Sequence, residues 1–178
     1  MNAIDCIKSR RSVREFTAEP VAHDLLAEVV EVARFAPSWK NTQISRYVAL
    51  EGAAKDRVAA ECVGEWNANI INKAPMLVVQ TFVKNRSGFE RDGSFTTSKE
   101  DRWQNFDAGI AAEAFCLAAH DKGLGTVILG MFDESKVASA LSLPEDMGVA
   151  SLIAVGHPAV SPEAPKRKEV ADLLSYMS

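Results

Sequence analysis

Cysteine is scarce in this sequence, and the three that occur, Cys6, Cys62 and Cys116, lie far apart along the chain. No two of them have the spacing of a zinc site or of a redox-active pair. An odd number also does not suit a framework of disulfides. We therefore expect three reduced and largely buried thiols, which behave as small apolar side chains.

Basic residues are outnumbered by acidic ones, 20 against 24, and the net charge is −4. Such a protein has no general attraction for nucleic acid, so an anion has to be bound by a local cluster of cations. Long apolar runs are absent too, because the longest, 76–83 and 149–155, are too short to cross a membrane. Charged residues from Asp5 to Arg11 interrupt the N-terminal segment, which predicts no signal peptide and a cytoplasmic protein without membrane association.

Metal and nucleophile motifs are also missing. The three histidines, His23, His120 and His157, share no ligand spacing, and the chain contains neither a P-loop nor a nucleophile elbow. These absences argue against a metalloenzyme or a hydrolase, and we predict no metal ligand.

Helical and strand patterns alternate along the chain without a repeat or a composition shift, which predicts a single domain over residues 1–178. Helices show the 3.6-residue apolar period, and strands are valine-rich or alternating. The predicted helices are 2–9, 22–35, 54–63, 103–122 and 134–141, with a further short helical pattern after residue 168, and the predicted strands are 46–50, 76–83, 126–129 and 149–156. This order predicts an α+β fold with helices flanking a central sheet.

The first candidate binding segment is the basic run Arg10-Arg11-Ser12-Val13-Arg14. Three guanidinium groups and a hydroxyl within five residues are able to hold a phosphate through forked, charge-assisted hydrogen bonds. A solvated basic turn is the alternative for this segment taken alone. A second cationic cluster, Lys166-Arg167-Lys168, lies in the proline-containing tail, where a solubilising role is equally open.

A polar loop follows the helix at 22–35. Pro37 ends that helix, and Ser38, Asn41 and Gln43 come next. Their donors and acceptors match a ring that carries both carbonyl groups and an N–H. An ordinary polar connection is the alternative for this loop.

Two glycines precede the predicted strand 126–129, and a third, Gly130, follows it. A dinucleotide-binding turn needs a strand, then glycines, then a helix, whereas here a helix precedes Gly123 and Gly125 and a strand follows them. A Rossmann-type site is therefore disfavoured. Gly130 is of more interest, since a planar ligand can approach a glycine backbone closely.

Taken in order, these segments resemble the nitroreductase family of FMN enzymes over most of the chain. The resemblance rests on R-R-S-x-R, A-P-S-x-x-N-x-Q, K-A-P before a valine-rich strand, F-D-A-G-I-A-A opening a long helix, G-L-G-T, G-H-P and a basic tail. It implies a three-layer sandwich with a central mixed sheet, in an intertwined homodimer that holds FMN at the interface. The tail at about 158–178 is then expected to pack on the partner subunit.

The resemblance also implies roles for individual residues. Arg10, Ser12 and Arg14, with Arg11 beside them, match the family's first flavin-binding segment, and Lys166 and Lys168 match tail positions that help to hold the same phosphate. The loop with Pro37, Ser38, Asn41 and Gln43 matches the one that reaches the flavin from the partner subunit. Asn67 falls where an asparagine faces the pyrimidine edge, and Leu129 and Gly130 fall where a backbone N–H points at the flavin N5.

The function that the resemblance implies is a ping-pong transfer of reducing equivalents from NADH or NADPH, through FMN, to a nitroaromatic, quinone or similar conjugated acceptor. The flavin carries the chemistry, so we predict no catalytic side chain. A flavin-binding protein with specialised or little redox turnover is the alternative. The polar segment 84–102, with Phe89, Phe95 and Trp103, is expected to cover the flavin and to choose the acceptor.

Overall fold

A computed structural model describes residues 1–177, and its centre is a sheet of four strands in the order β1-β2-β4-β3. The strands are β1 (Ser45–Leu50), β2 (Met76–Val83), β3 (Gly125–Leu129) and β4 (Met147–Gly156). All three neighbouring pairs are antiparallel, and β2 and β4 form the long central pair. The predicted α+β class is confirmed.

Helices cover both faces of this sheet. They are α1 (Ala3–Ser9), α2 (His23–Ala33), α3 (Gly52–Glu61), α4 (Glu65–Lys73), α5 (Arg102–Asp121), α6 (Glu134–Ala140) and α7 (Val170–Leu173). Within the described part of the chain, no helix has the length and apolarity that a membrane crossing requires. The sandwich therefore has the layers helix, sheet and helix.

Two apolar clusters form the core, one on each face of the sheet. Side chains from α3, α4 and α6 pack on one face, and side chains from α2 and α5 pack on the other. Alternate residues of β2 serve the two sides, since Leu77 belongs to the first cluster and Val78 to the second. This burial on both faces explains why β2 and β4 are almost continuously apolar.

The expected mixed sheet is wrong for these four strands, which are antiparallel throughout. The one parallel pairing among residues 1–177 is an isolated bridge between Ser12 and Thr126 at the outer edge of β3. The composition of these strands does not show their direction, because a strand covered on both faces is apolar whether its neighbours run parallel or antiparallel.

Most predicted elements are confirmed to within two residues, and β2 has the predicted bounds. One helix, α4, was not predicted. Trp39–Asn41 forms a short 3-10 turn inside the predicted polar loop. The long helix α5 ends where Gly123 predicts it, because Gly123 has a φ of 81° and Leu124 N–H donates to Ala119 O at 2.8 Å. The three cysteines are free and buried, as predicted.

Candidate functional site

The basic segment 10–14 lies against the outer edge of β3. Val13 N–H donates to the carbonyl of Thr126 at 2.9 Å, and Ser12 forms the parallel bridge with the same residue. Val13 is buried, and a Cβ on Gly125 would lie only 2.8 Å from its Cγ2. Glycine at 125 therefore permits this close approach, and the flanking polar residues are held at the surface.

The C-terminal tail returns over this segment. Ala159 N–H donates to Glu15 O at 3.0 Å, and a bridge joins Phe16 to Pro158. Together the two segments enclose a surface cavity of about 350 Å³. Its lining residues are Arg10, Arg11, Ser12, Arg14, Pro162, Glu163, Pro165 and Arg167.

Four arginines therefore line a cavity that has one acidic residue, Glu163, in its lining. Arg10 Nε is buried and has no hydrogen-bond partner among residues 1–177, and its nearest carboxylate oxygen, on Glu113, lies 3.6 Å away. A buried donor without a partner is costly, and a phosphate oxygen would satisfy it. The donor set thus fits a phosphate monoester.

The structure brings Arg10, Arg11, Ser12 and Arg14 together as the sequence predicts. The tail differs in detail, because Arg167 lines the cavity whereas Lys166 and Lys168 are exposed and do not line it. Sequence reasoning selected the two lysines from a run of three cations. Only the path of the backbone shows which of the three faces the arginines.

Positive charge at this end of the sheet also acts on His120, whose ring lies 2.8 Å from Ser9 Oγ. Burial, followed by the charges of Arg10 and Arg11, lowers the pKa of His120 below its usual value. The surroundings therefore favour the neutral form of this imidazole beside the basic cluster.

A second group of predicted residues meets at the other end of β3. Asn67 is buried on α4, and its Nδ2 donates to the carbonyl of Met131 at 2.8 Å. This bond places Asn67 beside Gly130, which is exposed. Apart from Gly130 and its two chain neighbours, no described residue has an atom within 4 Å of the position that a Cβ there would occupy. Leu129 is buried and anchors the strand end in the core. About 13 Å of extended strand separates Thr126 from Gly130.

The predicted loop with Pro37, Ser38, Asn41 and Gln43 lies in a third place. Pro37, Ser38 and Gln43 line a groove of about 510 Å³ between α2, β1 and α5, and this groove shares no lining residue with the basic cavity. Within one chain, the loop is therefore not brought to the arginines. Along α5 it contacts Asp107, whereas Arg10 faces Glu113, about 9 Å further along the helix axis.

The backbone of this loop is strained. Lys40, Asn41 and Gln43 have φ values of 43°, 57° and 50°, in the left-handed region that non-glycine residues rarely adopt. Conformations of this kind cluster at functional sites, where the surrounding structure holds them in place.

Comparison with known proteins identifies the family. The family model described as the nitroreductase family matches residues 7–80 and 63–157. The chain belongs to the nitroreductase family. An NADPH-flavin oxidoreductase of Vibrio harveyi is 28% identical over 168 residues, which are 93% of this chain and 70% of that protein.

Two solved members of the nitroreductase family agree with this architecture. A nitroreductase-type protein from Desulfovibrio desulfuricans, solved in complex with FMN, is 26% identical with a TM-score of 0.83, over 100% of this chain and 98% of that one. A family member from Streptococcus pneumoniae is 20% identical with a TM-score of 0.85, over 99% and 100% of the two chains, and supports the fold alone. The predicted nitroreductase fold is confirmed.

In this member of the family the segment between β2 and α5 packs on the strained loop. The rings of Trp39 and Trp103 have centroids 4.5 Å apart, and Phe106 meets Trp103 edge-on at 5.3 Å. Lys40 and Glu90 form an ion pair at 3.1 Å. The two loops therefore form one surface, to which Phe106 contributes a half-exposed ring.

Sequence reasoning missed the buried groups that hold these loops, above all Asp107 and Ser87. Asp107 accepts hydrogen bonds from Trp39 N–H at 2.9 Å and from the Ser87 hydroxyl at 2.6 Å. The signal was present in the F-D-A-G motif, because a carboxylate among small residues on a helix needs a partner when it is buried. Neither of its partners is near it in the sequence.

Proposed function

We propose that this chain is an NAD(P)H-dependent FMN oxidoreductase that works as a homodimer with a shared flavin site at each interface. Its acceptors would be nitroaromatics, quinones or similar conjugated molecules, and NAD(P)H and the acceptor would occupy the same place in turn, giving ping-pong kinetics. The observation that carries this proposal is that four arginines line one cavity at one end of β3. At the other end of the strand lie Gly130 and Asn67.

The described residues fit an elongated ligand with a phosphate tail and a planar ring. Arg10, Arg11, Arg14 and Arg167 would hold the phosphate, with Ser12 between them, because a dianion needs more than one cation to offset its desolvation. The open backbone around Gly130 would receive the ring, with a backbone N–H there stabilising negative charge on it. When bound, FMN would supply the hydride and electron transfer.

Two neighbours support the cofactor. The Vibrio harveyi relative is named as an NADPH-flavin oxidoreductase, and the Desulfovibrio desulfuricans neighbour was solved with FMN. Lys166 and Lys168 remain predicted phosphate contacts, and Asn67 remains a predicted ring contact. Because one Nδ2 hydrogen of Asn67 is bonded to Met131 O, its Oδ1 and its second Nδ2 hydrogen are left for the ring.

The homodimer is supported by apolar side chains that one chain leaves uncovered. Val32, Phe35 and Phe106 are 52%, 75% and 52% exposed on the face that carries the strained loop. The tail shows the same feature, with Leu173 and Tyr176 69% and 89% exposed. Exposed apolar side chains in this number are typical of an interface. We propose that the tail packs on the partner subunit. We also propose that residues 1–178 form one domain. The final residue of that range lies outside the described residues.

The first experiment is an anaerobic visible spectrum of the purified protein before and after NADH or NADPH is added. A flavin spectrum that bleaches within seconds supports the reductase and shows which donor it prefers. Slow bleaching favours a flavin-binding protein with little turnover, and a chain that takes up no FMN contradicts the proposal.

The shared site has its own test in mixed dimers. Subunits with Arg14→Ala and subunits with Asn41→Ala, refolded together, should regain one intact site per mixed dimer if the loop serves the partner's flavin. Absence of any recovered FMN binding in isolated mixed dimers would contradict sharing across the interface.

A further inference from the structure

Asp107 is a buried carboxylate, 3% exposed, on the second turn of α5. Its Oδ2 accepts two hydrogen bonds, from Trp39 N–H at 2.9 Å and from Ser87 Oγ–H at 2.6 Å. A buried carboxylate is tolerated only where donors surround it, and these donors come from two loops far apart in the sequence. Asp107 thus joins the loop 37–43 to the segment 85–101.

The hydrogen bonds around Ser87 have a defined direction. Ser87 has one hydroxyl proton, which it donates to Asp107, so at the 2.6 Å contact with Thr42 Oγ1 the threonine has to be the donor. The chain Thr42 to Ser87 to Asp107 fixes the loop at a second point. Together with the Trp39 N–H bond, it brackets Lys40 and Asn41.

Lys40 and Asn41 are two of the residues held at positive φ. A non-glycine residue stays in that region only where neighbouring contacts over-determine its backbone. The contacts that do so here are the Asp107 bond to Trp39 N–H on one side and the link through Ser87 to Thr42 on the other. Bonds inside the loop add to them, from Gln43 N–H to Ser38 Oγ at 2.9 Å, from Asn41 N–H to Ser38 O at 3.0 Å and from Thr42 N–H to Trp39 O at 2.8 Å. Without the carboxylate, the loop has no buried acceptor for Trp39 N–H.

The same face of α5 holds the second loop by a separate bond. Gln104 lies three residues before Asp107, hence on the same side of the helix, and its Oε1 accepts from Asn85 N–H at 2.6 Å. Asn85 also has a positive φ, of 57°. The first turns of α5 therefore act as a fixed support for both loops.

We infer that Asp107 is a positioning residue, which holds loop 37–43 in the conformation that presents Ser38, Asn41 and Gln43 to the flavin of the partner subunit. This inference rests on the proposed function. Among residues 1–177 the hydrogen bonds of the Asp107 carboxylate are those with Trp39 N–H and Ser87 Oγ–H, so it acts through the loop.

The test compares Asp107→Ala and Asp107→Asn with a control, Gln80→Met. Gln80 is buried, with 1% exposure, and its side chain donates to Ala108 O and accepts from the Ser151 hydroxyl. Its replacement removes buried hydrogen bonds beside α5, and neither of these bonds involves the two loops. Two quantities are measured for each full-length dimer. They are the FMN dissociation constant, from quenching of flavin fluorescence, and amide hydrogen exchange over residues 38–43.

Asp107→Ala is expected to weaken FMN binding by about tenfold or more and to speed exchange in the loop by a similar factor, because a loop that is competent only part of the time binds correspondingly less tightly. Asp107→Asn keeps an acceptor oxygen and should restore most of both properties. Gln80→Met should lower the melting temperature while leaving both values within about threefold of wild type.

Each result has a distinct meaning. A wild-type chain that binds no FMN contradicts the proposed function and this inference with it. If the wild type binds FMN and Asp107→Ala binds it equally well, only the inference is overturned. Loop exchange that is unchanged in Asp107→Ala, or equally raised in Gln80→Met, also overturns it, because the carboxylate would then add nothing specific to the loop.

Discussion

Removing the guanidinium of Arg10 is expected to weaken FMN binding far more than riboflavin binding. Arg10 lines the basic cavity, its side chain is only 21% exposed, and its Nε is a buried donor without a partner in the described chain. A hydrogen bond to a charged group contributes about 1.5–3 kcal/mol. Since each 1.4 kcal/mol is a factor of ten, Arg10→Ala should raise the FMN dissociation constant by about tenfold to a hundredfold.

Riboflavin is the matched ligand, because it has the ring and side chain of FMN but no phosphate. Its dissociation constant should change by less than about twofold in Arg10→Ala if the arginine acts on the phosphate alone. Arg57→Ala is the matched protein control, since Arg57 is an exposed arginine that does not line the cavity, and a change below about threefold is expected for an exposed cation.

Both ligands are titrated by quenching of flavin fluorescence at two salt concentrations. The FMN affinity of the wild type should fall with salt more steeply than that of Arg10→Ala, because the variant has lost one charge of the cluster. Equal losses for FMN and riboflavin, or no loss for either, would show that the phosphate is not bound in this cavity.

Three further results are expected. Gly125→Ala should lower the free energy of unfolding by about 1–3 kcal/mol in chemical denaturation, because its Cβ would lie 2.8 Å from Val13 Cγ2. Gly109→Ala is the control and should not destabilise the protein, because no described residue beyond its chain neighbours and the backbone of its own helix has an atom within 4 Å of the new Cβ. Because the pKa of His120 is lower in the folded chain, the unfolded chain binds more protons at this residue as the pH falls. The contribution of neutral His120 to the free energy of unfolding is therefore present above pH 6.5 and is lost as the pH falls below it. His120→Asn should therefore flatten the slope of stability against pH between 5 and 6.5, and an unchanged slope would refute this origin. Glycine substitution across residues 88–98 should change the ratio of quinone to nitroaromatic turnover, while identical ratios would remove this segment as the selector of acceptors.

The sequence was informative wherever one kind of burial dominates a segment. β2 and β4 lie between two helical layers, so their apolar runs were visible without any partner information. The helix α4 was not predicted because one residue interrupts its apolar pattern. Its inward positions, Asn67, Ile70 and Ile71, have helical spacing, but the first is an asparagine that is buried because it bonds to Met131 O.

The candidate site was predictable where the functional residues are contiguous. The arginines of segment 10–14 predict an anion site, with a solvated basic turn as the alternative, and in the structure they line one cavity. The support of the loops was not predictable, because Asp107 and Trp39 are 68 residues apart and meet only after α5 has docked. Choosing Arg167 among three adjacent cations likewise needs the path of the tail.

The segment 10–14 has a second consequence, which concerns the sheet rather than the ligand. In the order β1-β2-β4-β3, β3 is an outer strand, and an open outer strand is a template for pairing with another molecule. Val13 N–H donates a hydrogen bond to the carbonyl of Thr126 on that edge, and the arginines on either side of Val13 place positive charge there. The segment that would bind a phosphate thus also covers the outer edge of the sheet. A protein that releases this segment exposes an aggregation-prone edge as well as an empty site.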